Sequence, residues 1–104
     1  MGFERRMGAG WAIHPGEILK NEFLVPMKMS EYALAQALDV NPQSINDIAR
    51  KKRGISAEMA VRLGRYFQTS SEFWINLQSA YDLARATRAL KKTINKIQPR
   101  ERAA

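Results

Sequence analysis

The sequence predicts an all-α protein of five helices followed by a basic C-terminal helical extension or tail. Apolar residues recur every three or four positions in successive segments, which is the spacing of a helix with one buried face. Serine, asparagine and proline residues stand where these segments begin, as helix caps and first helical residues do. Nowhere does the chain alternate apolar and polar residues as a strand does.

The first helix is predicted to begin at His14–Glu17, because Pro15 suits the first helical position and the helix dipole favours Glu17 there. Pro26 ends this helix, since proline disfavours helix just before it. The apolar side consists of Ile18, Leu19 and Phe23. Residues 1–12 are polar and contain glycines, and we expect a mobile arm there.

Two short helices follow, separated by a tight turn. Ser30 is a good N-cap for the second helix, and Asp39–Asn41 interrupts it. Asn41 caps the third helix, Pro42 takes its first position, and it reaches about Arg50. The buried stripes of the pair comprise Leu34, Ala35, Leu38, Ile45 and Ile48.

A fourth helix is capped by Ser56 and carries Glu58 in its first turn, and Ser70 or Ser71 opens a fifth. Their apolar sides comprise Met59, Ala60, Leu63 and Phe67 in one helix, and Phe73, Trp74, Leu77, Tyr81 and Ala84 in the other. Helical spacing could carry the fifth helix on through Leu90, Ile94 and Ile97, with Pro99 as its end. We place the folded domain at residues 13–86 and the basic extension at 87–104.

The charge of the chain is concentrated near its C-terminal end. The net charge is +7, yet residues 1–84 hold ten basic and nine acidic side chains, whereas residues 85–104 hold seven basic and one acidic. Such a balance indicates a polyanionic partner, nucleic acid first and an acidic membrane surface second. Because the excess lies in the tail, it does not by itself indicate that the folded domain binds DNA.

The composition argues against several other classes of protein. The chain has no cysteine and one histidine, so neither a disulfide framework nor a Cys/His zinc site can form. It contains no recognisable acid–base or nucleophile set, and we expect no enzyme, no cofactor and no metal. Without an apolar run of roughly 20 residues or a secretory signal, we expect no membrane association and a cytoplasmic location.

The stretch Ser30–Ser56 carries the functional signal. Two short helices, a turn of three or four residues and a basic loop form a DNA-reading helix-turn-helix. The major groove admits one helix, whose N-terminal end needs short hydrogen-bonding side chains. A polar helix face is by itself more often only solvated, but here it coincides with the caps, the turn and an inward isoleucine pair. We therefore predict that four residues read bases: Gln43, Ser44, Asn46 and Asp47.

The carboxamides of Gln43 and Asn46 match the N6/N7 side of adenine, because each can donate and accept at once. Asp47 could accept from a cytosine amino group or orient an arginine. Phosphate contacts are predicted for the residues that flank the reading helix, where cations and the free backbone donors of its N-terminus lie. They are Asn41, Arg50, Lys51, Lys52 and Arg53.

Several stretches carry a family signature: HPGEIL at 14–19, LAQAL at 34–38, SINDI at 44–48, KRGISAEMA at 52–60, FWINLQ at 73–78 and YDL at 81–83. The first, combined with the last two, is the most specific part. With them, the sequence from His14 to Arg85 resembles the HigA/VapI branch of the Xre-type helix-turn-helix proteins, the antitoxins of HigBA toxin–antitoxin pairs.

The resemblance implies an Xre/lambda-repressor-like fold and a homodimer that binds a palindromic operator, double-stranded DNA in its own promoter, as an autorepressor. It also implies a partner, a HigB-type mRNA-cleaving toxin that the antitoxin holds inactive. We expect the fifth helix to supply core and part of the dimer contact through Trp74, Leu77 and Tyr81.

Three positions depart from the family pattern. Glu31 replaces a glutamine that contacts phosphate, and its charge would repel one. Asp39 replaces the turn glycine, and Arg50-Lys51 replaces Asn-Gly at the end of the reading helix. Two alternatives stay open. One is a stand-alone transcriptional regulator without a toxin, and the other is a protein-interaction module whose DNA binding has decayed, which Glu31 favours.

Overall fold

The structure, a computed structural model, describes residues 12–101, and this part of the chain contains helices and no strand. The all-α prediction is confirmed. The predicted arm lies outside the described residues except for Ala12, as do residues 102–104 of the extension. The elements in chain order are α1 (Pro15–Ile18), continued by a π-helical segment (Leu19–Leu24), then α2 (Glu31–Leu38), α3 (Pro42–Ala49), α4 (Ala57–Phe67), α5 (Ser71–Ala89) and the short α6 (Lys91–Ile94).

Side-chain caps begin the helices where the sequence predicts them. Ser30, Ser56 and Ser70 each accept through Oγ from the backbone N–H three residues on, at 3.0, 3.1 and 3.0 Å. Asn41 Oδ1 accepts from the N–H two residues on at 2.8 Å. Each cap satisfies a donor that the first helical turn leaves free. The alternative between the two serines resolves to Ser70 as cap and Ser71 as first helical residue.

The first helix differs from the expectation of a regular helix. From Leu19 to Leu24 it widens to a π-helix, and Val25 N–H donates to the carbonyl of Lys20 at 2.9 Å. The i→i+5 hydrogen bonds of a π-helix bring residues five apart closer to one side than an α-helix does, and both ends of the segment, Leu19 and Leu24, are buried. The widening therefore directs both leucines into the core.

The turn of the helix-turn-helix is three residues long: Asp39, Val40 and Asn41. Asp39 has a left-handed backbone with φ +58°, which aspartate tolerates better than most residues. Arg62 of α4 fastens this turn, because its Nη1 donates to the carbonyls of Leu38 and Asp39. No sequence signal indicated that contact.

One core holds α1 to α5 together around Trp74, which has no exposed surface and donates from Nε1 to Thr69 Oγ1 at 2.8 Å. Phe23, Phe67 and Phe73 pack around its ring. The other buried apolar residues are Ile13, Ile18, Leu19, Leu24, Leu34, Ala35, Leu38, Ile45, Ile48, Ile55, Met59, Ala60, Leu63 and Leu77.

The continuation of the fifth helix through Ile97 is wrong. Helix α5 ends at Ala89, and only the single turn of α6 follows. Leu90, Ile94 and Ile97 are 48%, 45% and 65% exposed, so no core packing holds this segment in one helix, and short helices need such packing. Among the described residues, no helix combines the length and the apolar character that crossing a membrane requires.

Candidate nucleic-acid interface

Helix α3 presents a polar side to solvent and an apolar side to the core. Its two isoleucines, Ile45 and Ile48, have no exposed surface. Gln43 is exposed, and three further residues on this side are half-buried: Ser44, Asn46 and Asp47. We call these four residues, the predicted base readers, the reading edge. The structure thus brings all four together on one accessible surface.

Asn46 is tied to the neighbouring helix α2. Its Nδ2 donates to Glu31 Oε1 at 2.8 Å, and Arg50 Nη1 lies 3.9 Å from the same oxygen. An ionised carboxylate only accepts, so the amide nitrogen, not the oxygen, must face Glu31. Glu31, which the sequence analysis treated as a repulsive departure, therefore orients a base-reading candidate.

The rest of the reading edge is also hydrogen-bonded. Gln43 Nε2 donates to Asp47 Oδ1 at 2.7 Å. Arg53 folds back from the basic loop, donating from Nη1 to Ser44 Oγ at 3.0 Å, with Nη2 at 3.8 Å from Asp47 Oδ2. Because these bonds are surface-exposed, each adds little to stability, but together they favour one arrangement of the reading edge.

The motif at the start of α1, residues 14–19, helps to position the reading helix α3. This role was not predicted from the sequence. A Cβ on Gly16 would lie 1.8 Å from the carbonyl oxygen of Ile48, so the backbones of α1 and α3 touch here. Glu17 Oε1 in turn lies 3.1 Å from Lys51 Nζ in the basic loop. A glycine in a first helical turn was the available signal, because a small residue there permits close backbone approach.

His14 caps α1 as a neutral imidazole that accepts a backbone hydrogen bond. The side chain is buried, and its Nδ1 accepts from Gly16 N–H at 2.9 Å. Burial lowers the pKa of His14 below its ordinary 6.5, and the nearby charge of Lys51 lowers it further. Since Nδ1 is the acceptor, the ring proton of the neutral form sits on Nε2.

The basic loop begins with a lysine in an unusual backbone conformation. Lys51 stands where the family pattern has glycine, and it adopts a left-handed φ of +65°. That conformation costs a non-glycine residue about 1–2 kcal/mol. Two backbone hydrogen bonds close the end of α3 around it. Lys51 N–H donates to the carbonyl of Ile48 at 3.0 Å, and Lys52 N–H donates to the carbonyl of Asp47 at 2.8 Å. The left-handed stop of the reading helix thus survives without glycine.

The predicted phosphate-contacting residues surround the reading edge. Asn41 lies at the N-terminal end of α3, and Arg50 caps its C-terminal end. All five are exposed: Asn41, Arg50, Lys51, Lys52 and Arg53. Cations at one end of the helix and free backbone donors at the other suit the two phosphate walls of a groove.

The dimer contact predicted for α5 needs correction. Trp74 and Leu77 are 0% and 2% exposed within the single chain, so they are core residues with no surface left for a second copy. Tyr81 alone of the three keeps exposed surface, with the guanidinium carbon of Arg85 5.6 Å from its ring centre.

Similarity to known proteins includes the whole helix-turn-helix. A family model described as helix-turn-helix matches residues 20–74, from the first helix into α5. Virulence-associated protein I of Dichelobacter nodosus is 53% identical over 88 residues, a match that covers 85% of this chain and 81% of that protein.

Two solved structures from Pseudomonas aeruginosa resemble this chain closely, and both contain DNA. One is a protein in complex with its 18-bp operator, with a TM-score of 0.86, 54% identity, and coverage of 90% of this chain and 100% of that one. The other is the antitoxin HigA with the higBA promoter, with a TM-score of 0.81, 58% identity, and coverage of 84% and 96%.

Proposed function

The chain belongs to the helix-turn-helix family of HigA/VapI-type antitoxins, and from this premise we propose that it is a sequence-specific DNA-binding autorepressor and the antitoxin of a HigBA-type toxin–antitoxin module. One observation carries the DNA-binding part: α3 buries Ile45 and Ile48 completely while leaving its Gln/Ser/Asn/Asp side open to solvent. A helix held this way can enter a major groove with its short polar side chains foremost.

In the proposed complex the reading edge contacts bases. The backbone phosphates on both sides of the groove are contacted by the five flanking residues Asn41, Arg50, Lys51, Lys52 and Arg53. Phosphate contacts fix the register of the protein on the duplex, and base contacts specify the sequence. Two copies of the chain bind a palindromic operator with their α3 helices about 34 Å apart, one turn of DNA. A dimer in this position blocks its own promoter. The location that goes with this proposal is the cytoplasm, where the promoter DNA lies.

The toxin partner distinguishes this proposal from a stand-alone regulator. A HigB-type, mRNA-cleaving toxin encoded next to this chain would be bound and held inactive by it.

The interaction-module alternative depended on Glu31 as a residue that repels phosphate. Glu31 bonds to Asn46 and lies close to Arg50, so a positioning role within the site accounts for this carboxylate and favours DNA binding over the alternative.

The test is a gel-shift titration of the full chain with its own promoter and with a duplex of the same composition in scrambled order. Preference for the promoter of at least 10³-fold is the expected result for a specific binder. Equal binding to both duplexes overturns the proposal. Co-expression with the adjacent gene product, followed by an mRNA-cleavage assay, tests the antitoxin role: unaltered cleavage leaves a regulator without a toxin.

A further inference from the structure

A small cavity of about 180 Å³ lies where the basic loop meets α1 and α5. Four cations line it, namely Lys51, Lys52, Arg53 and Arg85, against the single carboxylate of Asp82. Such an excess of positive charge around a concave surface suits an anion. The cavity includes Arg85 of α5, so it extends beyond the loop cations for which the sequence predicts phosphate contacts.

Hydrogen bonds hold the residues that line this cavity in place. Gln78 Oε1 accepts from Ile55 N–H at 2.6 Å, and its Nε2 donates to Asp82 Oδ1 at 2.9 Å. Gly54 permits this closeness, because a Cβ there would lie 2.7 Å from Gln78 Oε1. The loop is therefore fastened to α5, and the one acid of the cavity is already engaged by an amide donor.

Arg85 is the cation best placed to take an anion. Its guanidinium carbon is 5.6 Å from the ring centre of Tyr81, a contact that helps hold the planar group in place while its N–H donors remain available within that plane. Lys51, by contrast, is engaged by Glu17 at 3.1 Å. A guanidinium also matches two phosphate oxygens at once, which an ammonium group cannot do.

We propose that this cavity binds a backbone phosphate of the operator, with Arg85 as its principal ligand and Lys52 beside it. The inference rests on the proposed DNA-binding function and deepens it. DNA is favoured as the source of the phosphate because Arg53 lines the cavity and also bonds Ser44 of the reading edge at 3.0 Å. An anion in the cavity is thus next to a duplex lying on α3. The contact adds affinity without sequence preference.

Salt dependence of binding provides the first test. We compare the wild-type chain with Arg85→Ala and with the matched control Arg88→Ala, which removes the same charge one turn further along α5, away from this cavity. Arg85→Ala should weaken binding to promoter and scrambled duplexes by the same factor and reduce the slope of log K against log salt by about one. Arg88→Ala should leave the slope closer to wild type.

Two results of that titration overturn the proposal. One is an unchanged slope in Arg85→Ala. The other is an equal loss in both variants, since that would reflect the diffuse charge of the extension rather than a phosphate in the cavity. Failure of the proposed function looks different, because it appears in the wild-type chain as a lack of preference for the promoter.

The single histidine of the chain offers a second, independent readout. His14 lines the cavity, and burial followed by the charge of Lys51 lowers its pKa; Arg85 lowers it further, whereas Asp82 and Glu17 raise it. A bound phosphate adds negative charge beside the ring and should raise the pKa again. We titrate the imidazole signals by NMR in the free chain, with one equivalent of operator duplex, and with millimolar inorganic phosphate.

The duplex should raise the pKa of His14 in the wild-type chain and in Arg88→Ala, and by less in Arg85→Ala. A rise with inorganic phosphate but none with the duplex identifies a site for free anions and overturns the assignment to DNA. A pKa that neither ligand moves overturns the cavity as a phosphate site altogether.

Discussion

Asn46 Nδ2 donates to Glu31 Oε1 at 2.8 Å, which joins the reading edge of α3 to the first turn of α2. Both groups belong to the helix-turn-helix, so a residue outside the reading helix sets the orientation of a side chain within it. Because the carboxylate can only accept, the carboxamide of Asn46 has one orientation in the free protein. Base readout by Asn46 then begins from a fixed order of donor and acceptor.

Replacing Glu31 with Gln should lower base discrimination at the position that Asn46 faces. The glutamine amide can donate or accept, so both orientations of the Asn46 carboxamide become available. We expect discrimination there to fall by about 1 kcal/mol or more, which is the scale of one base contact. Binding to a complete set of single-base operator variants measures it.

The same substitution removes a negative charge near DNA, and a matched control separates that effect. Glu58→Gln removes an exposed first-turn carboxylate from α4 instead. It should leave the base preference unchanged. If Glu58→Gln and Glu31→Gln alter binding in the same way, Glu31 acts through charge alone and does not position Asn46.

Gln43 should contribute sequence preference rather than general affinity. It is exposed near the N-terminal end of α3 and bonds only locally, to Asp47. Gln43→Ala should cost about 1–3 kcal/mol on the promoter and little on scrambled DNA. Gln36→Ala is the control, since Gln36 is exposed on α2 and bonds to Tyr32 Oη at 3.0 Å outside the reading edge. Equal losses on both duplexes would exclude base readout by Gln43.

Local signals in the sequence were enough to predict where the helices begin. The capping residues Ser30, Asn41, Ser56 and Ser70 each accept a backbone N–H in the structure. These signals work because a cap depends on two or three neighbouring residues only. The side of α3 that faces outward followed from the spacing of its isoleucines for the same reason.

Contacts between distant residues were not predictable in this way. Glu31 and Asn46 are 15 residues apart, and Arg62 reaches a carbonyl 24 residues away. Helical spacing assigned Trp74 and Leu77 to an apolar side, but it could not say whether that side meets the core or a second copy. The end of α5 at Ala89 was not predictable from helical spacing alone. The apolar residues beyond Ala89 keep that spacing, but they have no core to pack against, and a helix needs such packing to persist.

Gly16→Ala should destabilise the fold through the contact between α1 and α3. The new Cβ would meet the Ile48 carbonyl oxygen at 1.8 Å and its carbon at 2.8 Å. Backbone atoms cannot rotate away, so the two helices must separate. We expect the free energy of unfolding to fall by about 3 kcal/mol, at the upper end of the usual cost of overpacking. Urea unfolding followed by circular dichroism measures this change.

Gly64→Ala is the matched control for that substitution. A Cβ on Gly64 would lie 3.1 Å from Ser71 N and from Thr69 O, which small shifts can accommodate, and alanine favours the interior of α4 by about 1 kcal/mol. Its net effect should therefore be small. Similar losses in the two variants would show that the Gly16 contact has no special role.

The buried imidazole of His14 should make stability depend on pH below neutrality. Burial, and then the charge of Lys51, lower the pKa of His14 in the folded chain, while the unfolded chain keeps a value near 6.5. The unfolded state therefore binds more protons as the pH falls through 6.5, and the free energy of unfolding decreases from there toward the folded pKa. Above that window the contribution is complete. The variant His14→Asn keeps a good N-cap that does not titrate. The free energy of unfolding of this variant should therefore change less than that of the wild-type chain between about pH 7.5 and 5.5. Most carboxylates stay ionised over that range, so they contribute little to the difference. Equal pH profiles for the two proteins in urea unfolding would contradict a neutral, capping His14.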